Sequence, residues 1–181
     1  MTTKHQTLLE LIICPTCKSP MDNLAVCHEC GTRYDELDGT PCLFPNRSVS
    51  RTVAFEFRPS RSVRTEDFER AFTYPRRSGA AGGDYPYHLD WAHFDVINQL
   101  PHQAIILEIG CGGGQMRDFL RTRGYRYVGT DLSKTQLGLK DHGGADILCD
   151  AHFLPFRDNG FDLVYSSALT EHLACPYLVA Q

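Results

Sequence analysis

The sequence predicts an α/β fold in which a doubly wound, mostly parallel sheet follows a small β domain. Two patterns predict the sheet: the apolar run at 105–109 passes into a glycine-rich turn, and short apolar runs alternate with helical spacing after it. Two C-x-x-C pairs within the first 30 residues predict the small domain. We therefore divide the chain into residues 1–45, 46–84 and 85–181.

The composition is that of an ordinary globular protein. The 181 residues carry a formal net charge of −4 and are 42% hydrophobic, which excludes a protein that coats nucleic acid by bulk charge. No apolar run is long enough for a membrane span, and the apolar stretch at 8–13 is too short and is broken by Glu10, unlike a secretory signal. We expect a cytoplasmic protein with reduced thiols and no membrane partner.

The first motif is a set of four cysteines that predicts a metal site. Cys14 and Cys17 form one C-x-x-C pair, Cys27 and Cys30 form another, and nine residues separate the pairs. Four thiolates suit zinc in a closed, structural, tetrahedral site, because no position remains for water or substrate. Two disulfides or free thiols are the alternative. His28 is only a weak candidate for a fifth ligand, since the four thiolates already fill the coordination shell.

The cysteine segment is too small to bury a sufficient core by itself, so bound metal should supply much of its folding free energy. Gly31 and Tyr34 follow the second pair, and the stretch Asp38-Gly39-Thr40-Pro41 comes after them. This segment, over about residues 7 to 45, resembles the small zinc-ribbon proteins that activate tRNA, rRNA and protein methyltransferases. The resemblance implies a supporting ribbon in cis and, as an alternative, a protein partner in trans. A ribbon that binds substrate, including nucleic acid, is a further alternative.

The middle segment, 46–84, reads as a linker. Eight arginines stand against four acidic residues between positions 46 and 77, without clear periodicity, and a glycine-rich hinge follows at 78–84. We favour a solvated connection over an RNA-binding patch, because aromatic residues are not regularly interleaved. Tyr87, His88 and Trp91 are candidates for a lid. For Trp91 we favour a helix face shared with Phe94 and Ile97, which ends before Pro101.

The glycine-rich turn points to a nucleoside cofactor. A dinucleotide fingerprint would need glycine at position 115, where this chain has Gln115. The sequence instead reads Glu108-x-Gly110-x-Gly112-x-Gly114, which resembles the first motif of the class I, type 11-like S-adenosylmethionine-dependent methyltransferases. The resemblance implies a Rossmann-like fold in which these four residues cradle the methionine end of S-adenosylmethionine.

Three later motifs agree with this resemblance. A strand at 125–130 ends at Asp131, whose carboxylate can accept hydrogen bonds from both ribose hydroxyls; a helix N-terminal charge is the alternative. The resemblance implies that Asp150 and the backbone of Ala151 contact adenine, although Asp150 could simply start a loop. Ser166 opens a segment that resembles the family's fourth motif, which passes beneath the transferring methyl group.

Methyl transfer from a sulfonium is an in-line displacement with an activated leaving group, so a general base is needed only when the acceptor must lose a proton. Glu171 and His172 are the candidates, with helix capping or pairing as the alternative. Four of the seven strands of the resembled fold can be counted before Gln181, at 105–109, 125–130, 145–149 and 161–165. We therefore expect an incomplete sheet and an acceptor that the sequence does not specify.

We keep two other functions open. The first is a non-catalytic zinc-ribbon activator of another methyltransferase, and the second is a nicotinamide-dependent oxidoreductase.

Overall fold

The computed structural model describes residues 4–45, 91–132 and 144–179. The helices are α1 (Lys4–Leu11), α2 (Trp91–Asn98) and α3 (Gln115–Thr122), with 3-10 helices at Ala151–Phe153, Thr170–His172 and Pro176–Leu178. The strands are β1 (Asp35–Leu37), β2 (Thr40–Cys42), β3 (Ile105–Ile109), β4 (Arg126–Asp131), β5 (Ile147–Leu148) and β6 (Leu163–Ser166). Among these helices, none is long and apolar enough to cross a membrane.

One six-stranded sheet organises the described residues, in the order β1-β2-β5-β4-β3-β6. Every pairing is parallel except the hairpin of β1 and β2. From β3 the chain adds β4 and β5 on one side and β6 on the other, so the strand order reverses between β3 and β6. This confirms the predicted α/β fold with a mostly parallel sheet, and the reversal is where such sheets bind ligands.

Most predicted element bounds lie close to the observed ones, and two strands start later for a local reason. Before β5, the Asp146 carboxylate accepts the Gly129 N–H at 2.9 Å, so a side chain replaces a backbone acceptor of the ladder. Before β6, the Asp162 carboxylate accepts the Ile105 N–H at 2.7 Å. The strands predicted at 145–149 and 161–165 therefore begin at Ile147 and Leu163. The sequence also predicts a short helix at 134–140, and this segment lies outside the described residues.

Alternating residues of β3 and β4 face two different layers. Ile106 and Tyr127 pack with Phe94 and Ile97 of α2 and with α3, as the helical spacing of these two α2 residues predicted. The side chain of Trp91, the third residue of the predicted face, lies outside what the structure describes. Leu107 and Val128 point to the opposite face. There the partners come from the amino-terminal segment, namely Leu8, Leu11, Ile12, Cys14, Met21, Cys27, Tyr34 and Leu43. The cysteine segment therefore forms the layer that covers this face of the sheet.

Backbone hydrogen bonds join this segment to the sheet. The Leu43 N–H donates to the Leu148 carbonyl at 2.8 Å, next to the pairing of Cys42 with Leu148. The Arg157 N–H donates to the Leu11 carbonyl at 2.9 Å. The domain division at 45 and 84 stays a prediction, but the described residues on its two sides share one sheet and one core. Tyr87 and His88 lie outside the described residues, as does all of the predicted linker.

Candidate cofactor site and cysteine cluster

Two similar turns present the cysteines. The Lys18 N–H donates to the Cys14 carbonyl and the Gly31 N–H donates to the Cys27 carbonyl, each at 2.8 Å. Lys18 and Gly31, which directly follow the two C-x-x-C pairs, have φ angles of 66° and 69°. The second position carries glycine, which adopts this left-handed conformation without a steric cost. Both pairs are therefore held in the same knuckle geometry.

The four cysteine sulfurs converge on one point. The Sγ atoms of Cys14, Cys17, Cys27 and Cys30 all lie within 4.8 Å of one another, with 3.7 Å between Cys14 and Cys30 and 3.6 Å between Cys17 and Cys27. Tetrahedral zinc with bonds of about 2.3 Å needs sulfurs about 3.8 Å apart. The donor set therefore fits zinc. His28 is directed away, with its Nε2 3.4 Å from an Asp22 carboxylate oxygen.

Neighbouring hydroxyls support thiolates in this cluster. The Tyr34 hydroxyl lies 2.9 Å from Cys14 Sγ, and the Thr32 hydroxyl lies 3.1 Å from Cys30 Sγ. The hydrogen bonds from the side chain and backbone of Thr32 lower the pKa of Cys30 to about 6. Tyr34 is buried, and its contact with Cys14 gives a physical reason for a tyrosine after the second knuckle, which sequence reasoning had noted without assigning a role.

The glycine loop follows β3 and needs glycine at three positions. Gly110, Gly112 and Gly114 have φ angles of 76°, 53° and 80°, which side chains rarely adopt. A Cβ atom on Gly110 would lie 2.9 Å from Leu169 Cδ1, whereas one on Gly112 would have nothing within 4 Å. The loop is thus packed at Gly110 and open at Gly112, where a ligand can approach the backbone.

Asp131 holds this loop from the end of β4. Its Oδ2 accepts the Gly112 N–H at 2.8 Å, while the Cys111 N–H donates to the Thr130 carbonyl at 2.9 Å. Asp131 is buried, with 8% of its surface exposed. The structure therefore brings Asp131 and the glycine loop together, as the ribose prediction requires. The ribose contact itself stays a prediction.

Glu108, near the end of β3 before the glycine loop, is buried between Tyr127 and Tyr165. The Tyr127 hydroxyl donates to Glu108 Oε2, and Tyr165 lies opposite Glu108 in the strand register. Burial raises the pKa of Glu108 to about 7, against the opposing influence of Tyr127, Tyr165 and the Arg117 guanidinium. Sequence reasoning missed these three neighbours. The alternation along β4 puts Tyr127 and Gly129 on one face, but only the pairing of β3 with β4 shows that Glu108 shares this face.

A buried ion pair lies next to this group. Arg117 Nη2 of α3 is 3.0 Å from Asp146 Oδ1, and both side chains are almost fully buried. The same guanidinium donates to the Gly144 carbonyl and lies 5.7 Å from the centre of the Tyr127 ring. The pair ties α3 to the segment before β5 under the glycine loop. Sequence reasoning missed it because its two residues are far apart in the chain.

Asp150 lies two residues after the end of β5 and interacts with its own loop. Its Oδ1 accepts the His152 N–H at 2.9 Å and lies 2.6 Å from His152 Nδ1. His152 Nε2 in turn accepts the Cys175 N–H at 3.2 Å. This geometry is the loop-starting alternative considered for Asp150, with Ala151 at the start of the following 3-10 helix. Contact of Asp150 and Ala151 with adenine stays a prediction.

Ser166 is the last residue of β6, and the two candidate bases follow this strand. Ser166 pairs in register with Ile109, which places it beside the start of the glycine loop. Glu171 and His172 are exposed in the 3-10 helix after it, and Leu169 packs against Gly110. The predicted site residues of four strands thus lie at one edge of the sheet. No described contact joins Glu171 or His172 to the glycine loop, so their role as bases stays a prediction.

Comparisons with known proteins agree with this geometry. Residues 107–181, from β3 to the end of the chain, match the family model of a methyltransferase domain. The match covers less than half of the chain and shows that this part is similar to a methyltransferase domain. The matched region contains the glycine loop, Asp131, Asp150 and Ser166, so the residues at the sheet edge all fall within the methyltransferase domain match.

Three similar proteins differ in the substrates that their names state. The chain is 25% identical over 138 residues, 74% of its length and 22% of the relative's, to the tRNA (carboxymethyluridine(34)-5-O)-methyltransferase alkbh8 of Xenopus tropicalis. It is 29% identical over 144 residues, 71% of its length and 42% of the relative's, to the mitochondrial arginine-hydroxylase NDUFAF5 of Rattus norvegicus. Over 75 residues, 38% of the chain and 18% of the relative, it is 35% identical to a probable fatty acid methyltransferase of Mycobacterium tuberculosis. The chain spans less than half the length of these relatives.

Proposed function

We propose that this protein is an S-adenosylmethionine-dependent methyltransferase that carries a structural zinc ion in its amino-terminal cysteine cluster. The hydrogen bond from Gly112 N–H, in the loop after β3, to Asp131 at the end of β4 is the observation that carries the proposal. It joins an open glycine turn to a carboxylate at the edge where doubly wound sheets bind nucleosides. The match of residues 107–181 to a methyltransferase domain supports the same activity.

Each predicted site residue has a role in this proposal. Glu108 and the glycines Gly110, Gly112 and Gly114 hold the methionine end of S-adenosylmethionine, and Asp131 holds its ribose. Asp150 and the backbone of Ala151 recognise adenine, while Ser166 borders the methyl group. The positions of these residues at the ends of neighbouring strands support this assignment, because carboxyl ends of parallel strands meet at one edge.

S-adenosylmethionine supplies an activated methyl group, so the chain's own residues mainly orient the reactants and exclude water. A base is required only for an acceptor that loses a proton as it attacks. Glu171 and His172, which follow β6 at the same edge, are our proposed bases in that case. The named relatives act on tRNA, on arginine and on fatty acids, and we leave the methyl acceptor of this protein unassigned.

The cysteine cluster would hold zinc as a closed structural centre. Its four sulfurs have the spacing that tetrahedral zinc requires, and both knuckles pack into the core that covers the sheet. We propose that the ribbon supports the methyltransferase domain in cis. The β2 strand supports this over an activator acting in trans, because β2 pairs with β1 on one side and with β5 of the same chain on the other.

Ligand-dependent melting tests the proposal. S-adenosylmethionine and S-adenosylhomocysteine should each raise the melting temperature of the full chain, because a ligand that binds only the folded state stabilises it. NAD should leave it unchanged. Stabilisation by NAD alone would favour an oxidoreductase. The absence of any effect, with no binding by calorimetry, would leave the activator as the better account. We also propose a cytoplasmic protein without a membrane partner, which fractionation of expressing cells can test.

A further inference from the structure

The surroundings of Glu108 are built to hold its carboxylate. Tyr127 reaches it from β4, where its hydroxyl donates to Glu108 Oε2. This contact depends on Gly129, because a Cβ atom at that position would lie 2.6 Å from Tyr127 Oη. Tyr165 faces the carboxylate from β6 and Arg117 from α3. A glycine inside a strand is unfavourable unless another group needs the space, and here the Tyr127 ring occupies it.

The charge of this carboxylate matters for the proposed cofactor. S-adenosylmethionine carries an ammonium group at its methionine end, and only an ionised carboxylate attracts it strongly. Hydrogen bonds donated to a carboxylate favour its ionised form, and burial opposes it. At Glu108 both influences act, since the residue is only 6% exposed and accepts a hydrogen bond from Tyr127.

We propose that Tyr127 is a positioning residue that keeps the Glu108 carboxylate oriented and charged for the ammonium group of S-adenosylmethionine. This inference rests on the proposed function and adds to it a residue that does not itself touch the cofactor. Binding of the cofactor then displaces a proton from Glu108 whenever that residue is protonated in the free protein. The affinity for S-adenosylmethionine is therefore linked to pH through this one group.

The direction of the linkage follows from the surroundings of Glu108. Burial raises its pKa to about 7, so the free protein gains the proton as the pH falls through 7 and loses affinity for an ammonium group. Burial also raises the pKa values of Tyr127, Tyr165 and Cys111, which stay neutral in this range, and the Arg117 guanidinium favours ionisation of Glu108. The nearby Asp131 carboxylate opposes ionisation of Glu108.

Calorimetry with two nucleosides between pH 5.5 and pH 7.5 tests the inference. S-adenosylmethionine contains the ammonium group, whereas 5′-methylthioadenosine lacks the whole amino-acid end. For the unmodified protein, the affinity for S-adenosylmethionine should fall about 25-fold from pH 7.5 to pH 5.5, since each unit below the pKa costs a factor of ten. The affinity for 5′-methylthioadenosine should not show this fall between pH 7.5 and pH 5.5.

The variant Tyr127→Phe removes the hydroxyl and should move the pH midpoint upward. A lost hydrogen bond to a charged group corresponds to about one pKa unit, so affinity for S-adenosylmethionine at pH 7 should fall about fivefold. Tyr125→Phe is the matched control, because the Tyr125 hydroxyl also donates a hydrogen bond, to the Ile97 carbonyl at 2.8 Å, but away from Glu108. This control should keep the pH profile of the unmodified protein.

A measurement on the unmodified protein keeps the inference testable if Tyr127→Phe fails to fold. Calorimetry at pH 6 in buffers of different ionisation enthalpy should show about one proton released per S-adenosylmethionine bound and none for 5′-methylthioadenosine. Equal pH dependence for both nucleosides, or no proton release, would overturn the inference and leave the proposed function intact. If neither nucleoside binds at any pH, the proposed function itself fails.

Discussion

The Ile13 N–H donates to the Pro155 carbonyl at 3.0 Å, which joins the residue before Cys14 to the loop that begins at Asp150. The neighbouring pair, Ile12 and Phe156, forms an antiparallel bridge beside it. Phe156 belongs to the same buried cluster as Cys14. A change in the cysteine cluster should therefore affect the loop that we assign to adenine through these direct contacts.

Removal of the metal should therefore lower the stability of the whole fold as well as that of the ribbon. We expect a strong chelator to lower the melting temperature of the full chain and to reduce its affinity for S-adenosylhomocysteine, because the ribbon covers one face of the sheet. The variant Cys17→Ser should do the same and should lose bound zinc by elemental analysis. Cys175→Ser, which changes an exposed thiol outside the cluster, should behave as the unmodified protein. Unchanged circular dichroism and melting after chelation would show that the zinc assignment is wrong.

The sequence predicted local features of this fold better than distant contacts. The strand Ile105–Ile109, the glycine loop and the helix Gln115–Thr122 were predicted almost to the residue, because apolar runs, glycines and helical spacing are properties of neighbouring residues. For this helix the sequence predicts residues 115–123 and a left-handed C-cap at Gly124, and the φ angle of Gly124 is 83°. The convergence of the four cysteines agrees with the prediction made from their spacing.

The contacts that sequence reasoning missed join distant parts of the chain. Nothing local to Cys42 indicates that it pairs with Leu148, and nothing local to Tyr127 indicates that it reaches Glu108. Such contacts depend on which strands become neighbours and in which register, and one register fixes all of them together. The structure shows that Asp131 accepts a hydrogen bond from Gly112, and that Asp150 accepts one from His152 in its own loop.

Gly129→Ala should destabilise the protein although glycine is usually a poor strand residue. The new Cβ would lie 2.6 Å from Tyr127 Oη and 3.0 Å from Cys111 Sγ, so the buried side chains must move. We expect a loss of about 1–3 kcal/mol in the free energy of unfolding, as for other overpacked cores, measured by denaturant titration. Adding Tyr127→Phe removes the nearest oxygen, so the double variant should lose less than the sum of the two single variants. Strict additivity would contradict this packing.

Asp131→Asn should lower the affinity for the cofactor with little effect on the stability of the fold. The amide oxygen can still accept the Gly112 N–H, but the charge that strengthens hydrogen bonds from ribose hydroxyls is lost. We expect affinity for S-adenosylhomocysteine to fall at least about tenfold, which corresponds to about 1.4 kcal/mol, with little change in melting temperature. Asp95→Asn, an exposed residue of α2, is the control. An affinity equal to that of the control would remove Asp131 from the site.

His152→Ala should weaken nucleoside binding through Asp150. The imidazole joins the Asp150 carboxylate to the Cys175 N–H, so its removal leaves that carboxylate with the His152 N–H and breaks the link to the segment after β6. Because this loss is on the proposed adenine side, S-adenosylmethionine and 5′-methylthioadenosine should weaken by the same factor, unlike the selective effect expected of Tyr127→Phe. Calorimetry with both nucleosides measures this, with the exposed His102→Ala as control. Weakening confined to S-adenosylmethionine would contradict the adenine assignment of Asp150, since 5′-methylthioadenosine carries the same adenine.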